Sequence, residues 1–168
     1  MIHHVLVPLD GSQLAEKALP IARQVVRSGG EITLLTVVHS PAPLINIDPD
    51  EPIHVGDDAE YVQARVENAR EYLEHTGKNL QLNGYDVHLE IAGGDPADAI
   101  IKASEEMHVG LIVMSTHGRS GLSRVLFGSI TLKVLEASSI PVLVVPNRER
   151  EEVKQPATAP DLGPDLAT

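Results

Sequence analysis

Four stretches of this chain are short, apolar and β-branched, with no polar alternation, and nothing else in it constrains the fold as strongly. They run from about His3 to Leu9, centred on Val5-Leu6-Val7, then Ile32 to Val38, Leu111 to Met114, and Val142 to Val145. A strand that is apolar on both faces must be covered on both faces. That is the condition of a parallel sheet held between two layers of helices. A fifth stretch, Asp86 to Ala92, behaves differently. Val87, Leu89 and Ile91 alternate with His88 and Glu90, which predicts an edge strand with one face partly wet. With one Phe, three Tyr and no Trp, the core is expected to consist of Val, Ile, Leu and Ala.

Helical periodicity fills the gaps between these strands. Ala15, Ala18, Leu19, Ala22, Val25 and Val26 form one stripe behind an N-cap at Ser12, with Gly29 closing the helix. Pro20 lies inside that stripe and removes a backbone donor, so a kink is expected there. Ala59, Val62, Val66, Ala69 and Leu73 step by three and four behind Asp57 and Glu60, and Gly84 ends that helix. Asp95-Pro96 reads as N-cap and first helical residue of a third helix, with Ile100, Ile101 and Ser104 inward. A fourth, short helix starts near Ser129, with Ile130, Val134 and Ala137 on one face. Strict alternation of strand and helix gives right-handed crossovers and a single-domain, doubly wound α/β sheet over residues 1–146. Residues 39–58 hold four prolines and five acidic residues and read as a solvated, mobile insertion. Residues 147–168, Pro-containing and without periodicity, read as a disordered tail.

Composition narrows the partners. A formal net charge of −11 opposes nucleic acid, which needs a basic face, and anionic lipid. The absence of Cys removes disulfides, thiolate catalysis and Cys-ligated metal. No apolar run reaches the roughly 18 residues of a membrane span, and Met1 to Val5 lacks a signal peptide's basic and apolar regions. The expected location is cytoplasmic. Eight His are present, but His3 and His4 are adjacent on a strand and predicted to face opposite sides, and the others lack ligand spacing. They read as surface residues, with His117 set apart by its place in the loop described next. No metal site is expected.

Ligands of an open parallel sheet bind at the carboxyl ends of its strands, where strand order reverses. Two loops at those ends stand out, Pro8-Leu9-Asp10-Gly11-Ser12 and the segment from Ser115 to Thr131. No Asp or Glu occurs from Met107 through Leu135, 29 residues in an acidic chain, yet Arg119, Arg124 and Lys133 do. Gly118, Gly121 and Gly128 permit close backbone approach. Ser129, Ile130 and Thr131 bring free N–H groups and two hydroxyls to a helix start, a ready anion site. These features together predict a phosphate cradle rather than a plain connecting loop. Asp10 stays open between two roles. It can initiate the Asp-Gly turn or cap the first helix, or it can meet ribose hydroxyls or a metal that bridges phosphates. A P-loop and a dinucleotide fingerprint are both absent.

The chain resembles the universal stress protein family, UspA-like, in its ATP-binding subgroup. Gly118, nine residues, then Gly128-Ser129 match the second half of that subgroup's glycine signature, with Ser115 where its first glycine belongs. Pro8-Leu9-Asp10-Gly11-Ser12, Gly94-Asp95-Pro96 and Pro141 to Val145 match three further motifs in order, so that residues 3–146 are covered. The resemblance implies a Rossmann-like, flavodoxin-like fold with strand order 3-2-1-4-5. It implies ATP, alone or with Mg²⁺, as ligand. Pro8, Asp10, Val37, Met114, Ser115, Gly118 and Arg119 would border the nucleotide, and Gly128, Ser129, Ile130 and Thr131 would hold its phosphates. Val37 and Met114 come from the resemblance alone, since core packing would look the same in sequence.

The resulting expectation is a cytoplasmic ATP-binding stress or signalling module, a binder rather than an enzyme, acting as a homodimer on a protein partner not identified by the sequence. Ser115 favours a second reading, an interaction module that binds no nucleotide. A third, an enzyme acting on adenylated substrates, lacks the Ser-Gly-Gly-x-Asp-Ser loop after strand one. The dimer expectation rests on the last strand. Val142-Leu143-Val144-Val145 is wholly apolar at an implied sheet edge, and Pro141 and Pro146 bracket it. Such an edge invites a short antiparallel pairing with a second copy.

Overall fold

A computed structural model describes residues 2–38, 58–116 and 128–146. The strands β1 (Ile2–Pro8), β2 (Val26–Val38), β3 (Asp86–Gly93), β4 (Leu111–Ser115) and β5 (Val142–Val145) form one parallel sheet in the order β3-β2-β1-β4-β5. The helices are α1 (Gln13–Glu16), α2 (Ala18–Val25), α3 (Asp58–Leu82), α4 (Pro96–Glu106) and α5 (Ser129–Ala137). The doubly apolar strands build two cores from alternate residues. Val5, Val7, Ile32, Leu34 and Val113 pack with Ala18, Ala22, Leu73 and Leu80 of α2 and α3. Leu6, Leu35, Ile112 and Met114 pack with Ile100, Ala103 and Val134 of α4 and α5. Both edge strands lie where the resemblance implies. On β3, Leu89 is exposed and no residue is fully buried, and every residue of β5 is half-buried. Among the described residues no helix is long and apolar enough to cross a membrane.

Local chemistry explains the differences from expectation. The first helical stripe divides at Lys17, upstream of Pro20, which then lies in the first turn of α2. Pro20 cannot donate to the Glu16 carbonyl and its ring crowds that oxygen, so the chain breaks one turn earlier, where a missing N–H costs nothing. Gly29 does not close the helix. It has φ +65 within the irregular start of β2, whose register against β1 shifts between Ile2 and His4. Next to it, a Cβ on Gly30 would lie 2.6 Å from the His3 carbonyl oxygen, so the close approach requires glycine.

Gly84 does end α3, with its N–H donating to the Gln81 carbonyl at 2.9 Å. The Asp57 cap expected at the other end lies outside the described residues, as do most of the insertion (39–57) and the tail (147–168). On α4, Ile100 and Ser104 are buried as expected, but Ile101 is only half-buried and Ala97 and Ala103 fill the inner face. On α5 the inner residues are Thr131 and Val134, while Ile130 and Ala137 are exposed. The histidines also depart from expectation. His3 and His4 both approach Glu31, and His4 is largely buried against Thr33. The register shift beside them breaks the simple alternation of faces.

Candidate functional site

In this strand order the chain runs from β1 outward to β3, then returns to the other side of β1 as β4. The crevice at the carboxyl ends of β1 and β4 is therefore the switch point of the sheet. A cleft of about 370 Å³ opens there, within the roughly 300–1,000 Å³ common for small-molecule sites.

Three groups of residues line it. The ends of β1 and β2 contribute Pro8, Leu9, Asp10, Leu35 and Val37, with Ala15 from α1. The end of β4 contributes Met114 and Ser115. The start of α5 contributes Gly128, Ser129, Ile130 and Thr131, and α4 adds Pro96 and Ile100. The site residues expected from sequence thus come together wherever they are described, from four separate segments. Gly118 and Arg119, with His117, lie outside the described residues. Leu9, Ala15, Leu35, Pro96 and Ile100 also line the cleft, and the sequence does not single them out as site residues, though for Ala15 and Pro96 it holds a signal. Their signal was the position of Ala15 one turn behind the Ser12 cap and of Pro96 directly after Asp95. Each of those helices starts at the carboxyl end of a strand.

The loop after β1 is held from several sides. The Leu9 N–H donates to the Leu35 carbonyl at 2.8 Å, and the Thr36 hydroxyl donates to the Leu9 carbonyl at 3.1 Å. Asp10 Oδ1 accepts the Ser12 N–H at 3.0 Å across Gly11, which has φ +81. Ser12 Oγ in turn accepts the Ala15 N–H at 3.1 Å and caps α1. Asp10 therefore makes the turn that its sequence context permitted, and it also borders the cleft. Behind it, the Tyr72 hydroxyl donates to Glu16 at 3.1 Å. Burial first, then the negative charge of Glu16, raises that phenol well above its ordinary range.

The start of α5 has a different character. Its N-cap is Gly128, which offers no side chain to the first-turn N–H groups, and its first turn carries no acidic residue. Ser129 and Ile130 are exposed at this end while Thr131 is buried. The α5 start is tied to that of α4 by Lys133 Nζ, 3.5 Å from Asp95. Ser115 is nearly buried at the end of β4, with its Oγ 3.5 Å from the Thr116 carbonyl. The cleft thus combines aliphatic walls, a single described carboxylate and an uncapped helix N-terminus. Chemically it suits a ligand with an apolar part and an anionic group.

Sequence and structure comparisons agree with this layout. A sequence model described as the universal stress protein family matches residues 1–146. Universal stress protein YxiE of Bacillus subtilis is 31% identical over 86% of this chain and 99% of its own length. Universal stress protein MJ0531 of Methanocaldococcus jannaschii is 27% identical over 88% of this chain and 84% of its own. The solved structure of MJ0577 from the same archaeon superposes with a TM-score of 0.73 at 29% identity, covering 89% of this chain and 99% of that one.

Proposed function

Because the chain belongs to the universal stress protein family, we propose that it is a cytoplasmic adenine-nucleotide-binding module of that family, with ATP in the cleft at the ends of β1 and β4. The observation that carries this reading is the uncapped start of α5 opening into a cleft with otherwise aliphatic walls. Val37 and Met114 offer an apolar seat for the base, and Asp10 offers an acceptor for ribose hydroxyls. The N–H groups of Ser129, Ile130 and Thr131, with the hydroxyls of Ser129 and Thr131, offer donors for phosphate oxygens. Gly118 and Arg119, which the family resemblance puts beside the nucleotide, lie outside the described residues. If Mg²⁺ accompanies the phosphates, Asp10 is the one carboxylate among the described lining residues able to meet it. No Lys or His occurs among those lining residues, and the proposal is a binder rather than a catalyst.

Titration calorimetry with ATP, ADP, AMP and cyclic AMP tests the site. Loss of a hydrogen bond to a charged group costs about 1.5–3 kcal/mol, so Ser129→Ala is expected to weaken ATP binding by roughly 10- to 150-fold. Unchanged affinity would remove the assignment. Mass spectrometry of protein denatured directly after purification adds an independent check. Released ATP or AMP supports the proposal, whereas an adenylated product supports an enzyme. Ser115 favours the reading without nucleotide, because its side chain stands where a glycine would leave the backbone open. Under that reading none of the four nucleotides binds.

We also propose a homodimer through Val142, Leu143, Val144 and Val145. These residues form an apolar edge strand, half-buried throughout, with nothing paired to its outer side among the described residues. In sedimentation velocity the protein should be a dimer at tens of micromolar. Val144→Lys, which sets a charge near its own symmetry copy, should give a folded monomer.

A further inference from the structure

The acid-free stretch holds Arg119, Arg124 and Lys133, and of these Lys133 alone falls among the described residues. It does not line the cleft, yet it is fastened to the rim. Its Nζ is 3.5 Å from Oδ2 of Asp95, the residue before Pro96, which does line the cleft. The other oxygen of that carboxylate, Oδ1, caps α4 by accepting the N–H groups of Ala97 and Asp98. One carboxylate thus serves two helices, with one oxygen for each.

Helix geometry brings the ammonium toward the ligand end. Lys133 follows Ser129 by four residues, so the two share one face of α5. Side chains on a helix lean toward its N-terminus, and the N-terminus of α5 is a wall of the cleft. The ion pair shows that Lys133 takes this direction, since Asp95 stands at the start of α4, on the same end of the sheet. The pair is open to water, with side chains 62% and 42% exposed for Lys133 and Asp95. An ion pair as exposed as this contributes little to stability, so giving up Asp95 for another acceptor costs Lys133 little. Its stem is long and flexible, and its three donors rotate freely.

Charge gives that exchange a direction. Asp95 offers the ammonium one negative charge, whereas a polyphosphate at the open start of α5 offers several. We propose that Lys133 is the mobile cation of this site: it rests on Asp95 in the free protein and turns to the anionic end of the bound ligand. The inference rests on the reading of the cleft as a nucleotide site, and it adds a residue that belongs neither to the cleft lining nor to the motifs of the resemblance. Asp95 is then a competitor for Lys133, and it holds ligand affinity down. This sign separates the exchange from a plain brace between α4 and α5. In a brace, loss of either partner loosens the cleft and weakens binding.

Titration calorimetry on the full chain with ATP, AMP and adenosine tests this. Lys133→Met keeps the stem and removes the charge. It should weaken ATP binding by about five- to tenfold, the low end for a charge-assisted contact, because water and salt screen the ammonium. AMP should lose less and adenosine nothing. Lys133→Arg should bind ATP within about twofold of wild type, since the charge is kept. Asp95→Asn keeps an oxygen for the α4 cap and frees Lys133, so ATP affinity should rise by about two- to fivefold, the worth of an exposed ion pair. With Asp95→Asn and Lys133→Met combined, ATP should still bind more weakly than to wild type. Three results would each overturn the proposal. Weaker ATP binding in Asp95→Asn would make the pair a brace. Wild-type affinity in the double variant would mean that Lys133 merely neutralises Asp95. Equal losses for adenosine and ATP in Lys133→Met would mean a general loosening. If no nucleotide binds the wild type, the nucleotide reading fails by itself, and inorganic triphosphate replaces ATP in the same series. A loss with Lys133→Met then upholds the cation, and unchanged affinity or no binding overturns it.

Discussion

Helices α4 and α5 both begin at the carboxyl end of the sheet, beside the same cleft, yet their first turns are finished in opposite ways. Asp95 closes α4. Its carboxylate accepts the N–H of Ala97 at 3.0 Å and of Asp98 at 3.3 Å, and Pro96 follows with no N–H to satisfy. Gly128 leaves α5 open, and no acidic side chain stands in its first turn. The same four orphan donors that every helix exposes thus meet a side-chain acceptor at one start and none at the other. A helix start that is left uncapped beside a cleft forgoes a cap's stabilisation, and an anion that binds there supplies the missing acceptor.

Three substitutions can break or sharpen this contrast. The largest effect is expected from Gly128→Asp, which gives α5 the kind of cap that α4 has. A carboxylate about 5 Å from a phosphate costs on the order of 3 kcal/mol at the effective dielectric of a protein surface. ATP affinity should therefore fall by roughly 100-fold, while the apo protein gains only a few tenths of a kcal/mol from the better cap. Equal affinity for ATP in this variant would mean that α5 is merely an uncapped helix. Calorimetry and thermal melting together read both arms.

Asp10→Asn comes next, at the third helix start on this end of the sheet. Asn keeps the oxygen that accepts the Ser12 N–H but loses the charge. A melting temperature close to wild type with ATP binding weakened by about tenfold, the loss of one charge-assisted contact, would assign the charge to the ligand and the turn to the oxygen. An unchanged affinity would leave Asp10 with the turn alone.

The smallest effect belongs to Asp95→Ala, which should lower the melting temperature by about 2–4 °C, as loss of an N-cap does in a domain of this size. Its pH dependence is a sharper test. The Asp98 N–H, and then Lys133, hold the Asp95 carboxyl below its ordinary value. The folded state therefore binds fewer protons there than the unfolded chain. The stabilisation is complete above the ordinary carboxylate value, about 3.9, and disappears as pH falls through the lowered one. The gap in melting temperature between wild type and Asp95→Ala should narrow below that point. A gap independent of pH would place the effect elsewhere than in the cap.

Short-range chemistry made much of this protein readable in advance. The apolar runs at Val5–Val7 and Val142–Val145, the Asp95-Pro96 start and the Gly84 stop depend on a few neighbouring residues, and each element formed where its residues dictated. The acid-free stretch from Met107 through Leu135, which contains Gly128-Ser129, likewise marks one wall of the cleft in the sequence itself. Only the tertiary structure decided how elements turn and meet. The stripe on α5 allowed Ile130 and Ala137 to face inward as readily as Thr131, because a nine-residue helix fits several rotations and contact with α4 selects one. The irregular start of β2 goes with a register shift against β1 between Ile2 and His4, and beyond it Glu31 lies beside His4. The latter pairing brings His3, His4 and His88 to one carboxylate across three strands, against the face rule for adjacent residues. Propensity and capping act over one turn of chain, whereas rotation and register are set by side chains packing from segments dozens of residues apart, and no local pattern encodes those.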